Sequence, residues 1–196
     1  MQVDIELLKE FERGLDPAHP EKSKIPARVL GYGEISTIFE IQAETTKNLA
    51  CKRMPIFKTK DEVAEYEALY TDYNEVLEKD IGINIPEYGF AWFISDAGNI
   101  IAFDIQRKLT PESIGNRAFQ LLDTDGIRTL FLLVLRELMK IWRFNLANPG
   151  RAVGIDGQIS NWSIVDFDAA RPQLSHGTRL LYFDTSTPLM KKDGVE

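Results

Sequence analysis

Val29-Leu30-Gly31-Tyr32-Gly33-Glu34-Ile35-Ser36-Thr37-Ile38 is the stretch around which the chain is read. It sits between two strand-like runs, residues 26–30 and 38–41. A third apolar run then carries Ala50-Cys51-Lys52. Strand, glycine turn, strand, and a further strand bearing one inward lysine is a way to grip a nucleotide triphosphate. Glycine lets backbone approach phosphates with no Cβ in the way. Lysine adds a compact positive charge. Two glycines at i and i+2 also describe an ordinary hairpin, so the meaning of the turn depends on what lies downstream.

The bulk properties bound the answer. The 196 residues suffice for one domain or one and a half small ones. An apolar content of 44% and a charged content of 27% are those of a soluble globular protein. The net charge of -7 argues against a general binder of nucleic acid or anionic membrane, because phosphate surfaces need a basic face. A local basic pocket is still allowed. Cys51 is the single cysteine, so no internal disulfide framework is available, and a reducing cytoplasm fits. Residues 1–12 are acidic and amphipathic, unlike a secretory signal. The longest apolar run, 130–135, is far too short to span a bilayer.

Along the chain, Val3, Ile5, Leu7, Leu8 and Phe11 give a short helix one apolar face, and Gly14 can end it. Strands are expected at 27–30, 35–42 and 49–54. Residues 61–78 read as a helix, with Val63, Tyr66, Leu69, Tyr70, Tyr73 and Leu77 at helical spacing. That tyrosine-rich stripe reads as core rather than a ligand site. Residues 85–94 and 99–105 are expected to be two strands joined by a turn at 95–98, the second broken by Gln106-Arg107-Lys108. Residues 127–147 make the strongest helix, apolar nearly all round and so expected to be buried. A loop (154–161), a strand (162–167), a polar turn and a last strand (179–183) follow.

Two acid-bearing stretches carry candidate chemistry. In Gly154-Ile155-Asp156-Gly157-Gln158-Ile159-Ser160-Asn161, Asp156 and Asn161 are five apart. In Leu180-Leu181-Tyr182-Phe183-Asp184, an aspartate ends an apolar strand. Phosphoryl transfer needs such parts: a carboxylate to orient the nucleophile, and hard oxygen ligands for Mg²⁺. Each residue also has a plain alternative. Lys52 is equally a surface lysine at a strand edge, Asp156 and Asn161 are turn formers, and Asp184 caps a strand end. Asp166 and Asp168 form a rival acidic pair, read as the start of a hairpin turn.

Taken together, the order of these pieces resembles the protein-kinase-like fold, which includes the aminoglycoside and choline kinase branch. Gly31-x-Gly33-x-x-Ser36-x-Ile38 resembles its glycine-rich loop, with serine for the third glycine. Ala50-Cys51-Lys52 resembles the third-strand Ala-x-Lys, and Asp156 with Asn161 resembles the catalytic loop. The resemblance covers roughly residues 27–188. It implies an α+β protein: an N-terminal lobe over 1–105 with an antiparallel sheet and one helix besides the N-terminal one, then a partial helical C-terminal lobe over 106–196 with a catalytic-loop hairpin.

The resemblance also implies roles. Gly31, Gly33 and Ser36 would line the phosphates, and Lys52 would hold the α/β-phosphates of ATP. Asp156 would position the acceptor hydroxyl, and Asn161 and Asp184 would hold Mg²⁺. A helix glutamate, Glu65 first and Glu67 next, would pair with Lys52. Gln106 to Lys108 would be a hinge offering groups to adenine, walled by Leu30, Ile38, Ala50, Phe103 and Ile164. The catalytic-loop histidine and arginine are here Gly154 and Ile155, and Asp-Thr-Ser stands for Asp-Phe-Gly. These departures point to a small-molecule acceptor over a protein.

The chain ends about twelve residues after Asp184. On the resemblance this suggests a truncated or stripped-down form, with self-association through an exposed C-lobe surface. Besides a phosphotransferase, two other readings stand: a pseudokinase-like module that binds nucleotide or a partner without turnover, and a plain α+β interaction domain.

Overall fold

The computed structural model describes Met1, residues 4–33 and residues 36–192. Val3 of the expected first helix, and Glu34 and Ile35 of the glycine turn and second strand, lie outside the described residues. The chain divides into two compact units: Met1–Ala68 with Glu87–Lys108, and Leu69–Pro86 with Leu109–Glu196. The division expected after residue 105 therefore falls inside a strand, and residues 69–86 group with the second unit.

The first unit is a five-stranded antiparallel sheet. Its strands are β1 (Ala27–Tyr32), β2 (Thr37–Ile41), β3 (Leu49–Met54), β4 (Tyr88–Ile94) and β5 (Ile100–Arg107), in the order β1-β2-β3-β5-β4. Strand alternation sorts its side chains. On one face Phe39, Cys51, Phe93, Phe103 and Ile105 pack with Leu8 and Phe11 of α1 (Ile5–Gly14). The Phe11 ring lies 5.5 Å from Phe39 and 6.5 Å from Phe103, edge to face. On the other face Met54, Ile100 and Ala102 form a second cluster with Val63 and Tyr66 of α2 (Lys60–Glu75). Asp4 caps α1, its carboxylate accepting from the Leu7 N–H at 3.0 Å.

Two expectations in this unit are corrected. Gln106 and Arg107 do not break β5: they pair with Ala50 and Leu49 of β3, because backbone pairing tolerates polar side chains at a strand end. Phe103 cannot wall a pocket on the Lys52 face. It is fully buried on the α1 face, and its neighbours Ala102 and Asp104 point the other way.

In the second unit the last turns of α2 continue as a π-helical segment, Val76–Ile81, which Gly82 closes in the left-handed region at φ 75°. Then come α3 (Gly115–Leu121), α4 (Thr124–Ala147), β6 (Arg151–Val153), β7 (Trp162–Ile164), β8 (Leu180–Tyr182) and β9 (Met190–Lys192). β6 pairs with β9 and β7 with β8, both antiparallel. Asp123 caps α4 through the Gly126 N–H at 2.8 Å.

α4 is not buried all round. Leu130, Leu133, Val134, Glu137 and Ile141 face inward, while Phe131, Leu132, Leu135, Trp142 and Leu146 are exposed. The inward Glu137 carboxylate is bonded by Arg136 at 3.2 Å and Lys140 at 2.5 Å, which offsets the cost of burying it. No helix among the described residues is long and apolar enough to cross a membrane.

Candidate functional site

The strand-borne candidates belong to the first unit. β1 and β2 form a hairpin whose turn is closed by the Gly33 N–H donating to the Ser36 carbonyl at 2.9 Å. The register shifts between Val29 and Gly31, a bulge that leaves Leu30 unpaired and re-aims the strand end. A Cβ on Gly33 would stand 2.4 Å from Ser36 Oγ and 3.9 Å from Lys52 Cε, so Gly33, Ser36 and Lys52 converge. Gly31 is different: among the described residues a Cβ there would meet Ile38 Cδ1 alone within 4 Å, at 3.8 Å.

Lys52 is half-buried on an interior strand, opposite Ile38 of β2 and Asp104 of β5. It shares its face with α2, as the alternation of β3 requires. Asp104, only 3% exposed, puts a carboxylate in the same cross-strand row. Of the two helix glutamates, Glu65 is exposed and Glu67 accepts from Trp92 Nε1 at 3.0 Å. Gln106 is the last paired position opposite both β3 and β4. The Lys108 N–H donates to the Asn48 carbonyl at 2.8 Å, and its ammonium pairs with Glu40. Cys51 behaves as a small hydrophobe: burial first, and then the charge of Asp104, push its thiol up to about 12.

The loop-borne candidates belong to the second unit, and the structure gathers them around Tyr182. The Asp156 N–H donates to Tyr182 Oη at 3.3 Å. Two residues on, just past the strand end, comes Asp184, and the Phe183 N–H between them donates to the Asn161 carbonyl at 3.1 Å. Asn161 reaches back to the Asp156 carbonyl through Nδ2 at 3.5 Å. Asp156 and Asn161 are thus joined within one small network, with Asp184 next in the chain to Phe183, and all three are half-buried. Asp166 and Asp168 stay apart in the β7–β8 connection, Asp166 exposed at φ 56°.

Sequence reasoning missed Tyr73 and Tyr182 as members of this site. Tyr73 Oη donates to the Gly154 carbonyl at 2.8 Å. Burial raises both phenols well above the usual tyrosine range. For Tyr182 the Asp184 charge is the next cause; for Tyr73 that charge adds to the effect of Tyr182. The available signal was the tyrosines themselves, since a buried phenol takes a hydrogen-bond partner. Gln158 was also missed. Its backbone N–H and Nε2 donate to the two oxygens of the Asp156 carboxylate at 3.0 and 3.1 Å.

Asn161 and Asp184 offer an amide oxygen and a carboxylate, hard donors of the kind Mg²⁺ takes. Two such donors suit an ion that keeps waters and phosphate oxygens as its other ligands. Among the described residues no group of three or more His, Cys, Asp or Glu forms a closed metal cage.

The protein is thus α+β, with a lysine and a glycine turn on the sheet of its first unit and acids gathered on loops of its second. The chain belongs to the family of unknown function DUF6206, whose pattern covers residues 17–196. No curated protein matches it. Among solved structures it is similar to the GDP complex of wild-type aminoglycoside 2'-phosphotransferase-IIIa. That likeness has 16% identity over 76% of this chain and 46% of the other, with a TM-score of 0.38. It is also similar to the GDP complex of a point mutant of that enzyme, at 12% identity over 97% and 74% of the two chains, with a TM-score of 0.46. The chain spans about half the length of the first of these. At those identities and scores the likeness is one of general trace, and the functional reading rests on the residues.

Proposed function

We infer that the protein is an ATP- and Mg²⁺-dependent phosphotransferase acting on the hydroxyl of a small molecule. In this reading the γ-phosphoryl group breaks from the β-phosphate oxygen and bonds to the acceptor oxygen, whose proton passes to Asp156. Lys52, with Gly33 and Ser36 beside it, holds phosphate oxygens. Asn161 and Asp184 hold Mg²⁺, which neutralises charge on the phosphates when bound. The reading is carried by the joining of Asp156 and Asn161 through Tyr182 Oη and the Phe183 N–H, with Asp184 next in the chain.

The test is thermal unfolding with ATP or GTP, with and without Mg²⁺, on wild type and Asp184→Asn. Ligand at about 100 times its dissociation constant stabilises by roughly 2.7 kcal/mol. The expected result is a Mg²⁺-dependent shift lost in Asp184→Asn. Asp156→Asn should keep the shift and abolish phosphate transfer. No shift with either nucleotide would sink the reading.

One observation favours a second reading, a pseudokinase-like module that binds nucleotide without transfer. Both Asp156 carboxylate oxygens are already taken by Gln158, two residues away. These bonds turn the carboxylate towards its own loop. That reading expects the nucleotide shift, but no phosphate transfer to water or to any of a panel of hydroxyl acceptors. Gln158→Ala, which frees one oxygen, separates the two: transfer rises if Asp156 is a restrained base, and stays absent in a binding module.

A further inference from the structure

Tyr182 bonds to the Asp156 loop and leads, two residues on, into Asp184. It is 1% exposed, and its ring packs on Trp162 with centroids 5.2 Å apart. Its own N–H donates to the Asn84 carbonyl at 2.9 Å, which fixes the strand. Its phenol oxygen takes the Asp156 N–H, and its backbone runs through Phe183 into Asp184. The loop enters this contact from Gly154, whose two backbone groups are both tied. The Gly154 N–H donates to the Leu189 carbonyl at 2.6 Å, and its carbonyl accepts from Tyr73 Oη at 2.8 Å. A Cβ on Gly154 would stand 3.0 Å from Leu189 Cβ, so this anchoring is by backbone. The Asp156 side chain does not replace it, because its carboxylate bonds forward to Gln158 within the loop.

On the phosphotransferase reading, we propose that Tyr182 is a positioning residue. Its phenol oxygen sets the height of the Asp156 loop while its backbone carries Asp184, so one residue fixes the spacing of the two carboxylates, and Tyr73 holds the loop's entry at Gly154. The residue type suits the task. A phenol is a neutral acceptor, whereas an acidic acceptor at this point would add a second negative charge close to Asp184. Its ring fills the core beside Trp162, so the oxygen is held at the end of a rigid, packed lever.

Tyr182→Phe tests this, because it keeps the ring and removes only the oxygen. Two readouts are taken on the full chain: hydrogen exchange at the Asp156 amide, and the thermal shift with ATP in the presence and absence of Mg²⁺. Loss of one hydrogen bond predicts roughly a five- to tenfold faster Asp156 exchange. The Mg²⁺-dependent part of the ATP shift falls while the Mg²⁺-free part is kept, a split that a general loss of stability does not produce. Tyr73→Phe is the second variant; it removes the bond to Gly154 and the phenol contact with Tyr182 while keeping the Tyr182 oxygen. It is expected to speed exchange in the Gly154–Asp156 segment as well. Unchanged Asp156 exchange in Tyr182→Phe overturns the proposal, as does faster exchange with the full Mg²⁺-dependent shift retained. No nucleotide shift in wild type overturns the phosphotransferase reading itself, and so differs from a wild type and variant that shift equally.

Discussion

The two groups of candidate residues are built in opposite ways. Lys52 stands on β3, which is laddered on one side to β2 and on the other to β5. Its position is an average over many backbone hydrogen bonds, and no single side chain decides it. Asp156 stands in a loop between a three-residue strand and a single 3-10 turn. Its position rests on a few bonds to particular side chains, those of Tyr182, Gln158 and Asn161. A ladder tolerates substitution around it, whereas a loop held by side chains records each one. The glycine turn is intermediate, with Gly33 fixed by the hairpin and Ser36 folded back over it.

The largest effects come from cutting the core under each group. Trp162→Ala in the second unit and Phe103→Ala in the first each remove a fully buried ring, and each should cost about 3–5 kcal/mol in urea unfolding. Equal cost is not the point of the pair. Trp162→Ala should also free the Asp156 amide to exchange, since Trp162 backs the Tyr182 ring. Phe103→Ala should leave the ladder amides of β3 protected below its unfolding range. If the β3 amides open as readily in Phe103→Ala as the Asp156 amide does in Trp162→Ala, the contrast between ladder and loop is broken.

A smaller effect, of opposite sign, is expected at Asn74. Its side chain is fully buried in the second unit, and neither Oδ1 nor Nδ2 has a hydrogen-bond partner among the described residues. An unmade buried hydrogen bond costs about 1–3 kcal/mol. Asn74→Leu, close in volume and without polar atoms, should therefore raise the urea midpoint. A lower midpoint would mean that the amide contributes stability where it stands.

The same contrast governs what the sequence reveals. β3 is legible to the residue, because the apolar residues Leu49, Ala50, Cys51 and Met54 lie between turn-forming neighbours, Asn48 and Pro55. The end of β5 is not: Gln106 and Arg107 are polar, and their pairing with Ala50 and Leu49 is a property of the partner strand. The face of Phe103 follows from strand parity, which is lost once a strand's end is misplaced. In α4 the apolar count is high, but only one stripe finds a partner surface, and composition cannot say which. Among the candidates, type and spacing single out Asp156, Asn161 and Asp184. The tie that joins the Asp156 loop to β8 runs from a backbone N–H to a phenol, and no pattern of side chains encodes a backbone donor.

The smallest prediction concerns a place where the sheet-borne group leans on a side chain. Lys108, the last residue of the first unit, is held through its N–H to the Asn48 carbonyl and through its ammonium to Glu40, which also binds Arg28 at 2.6 Å. Its hydrogen bond from Lys108 comes first among the causes that lower the Glu40 pKa, with Arg28 adding to it against the cost of burial. A depressed carboxylate contributes stability above its ordinary value near 4.5, and that contribution is lost as pH falls through the lowered folded value. Glu40→Gln should therefore lower the melting temperature slightly at pH 7, by an amount equivalent to about 1 kcal/mol or less for so accessible a pair. The gap to wild type should close in acid below the ordinary carboxylate range. A gap that stays constant down to pH 2 would mean that the ion pair contributes nothing to Lys108, whose place is then set by its backbone bond alone, as the ladder sets Lys52.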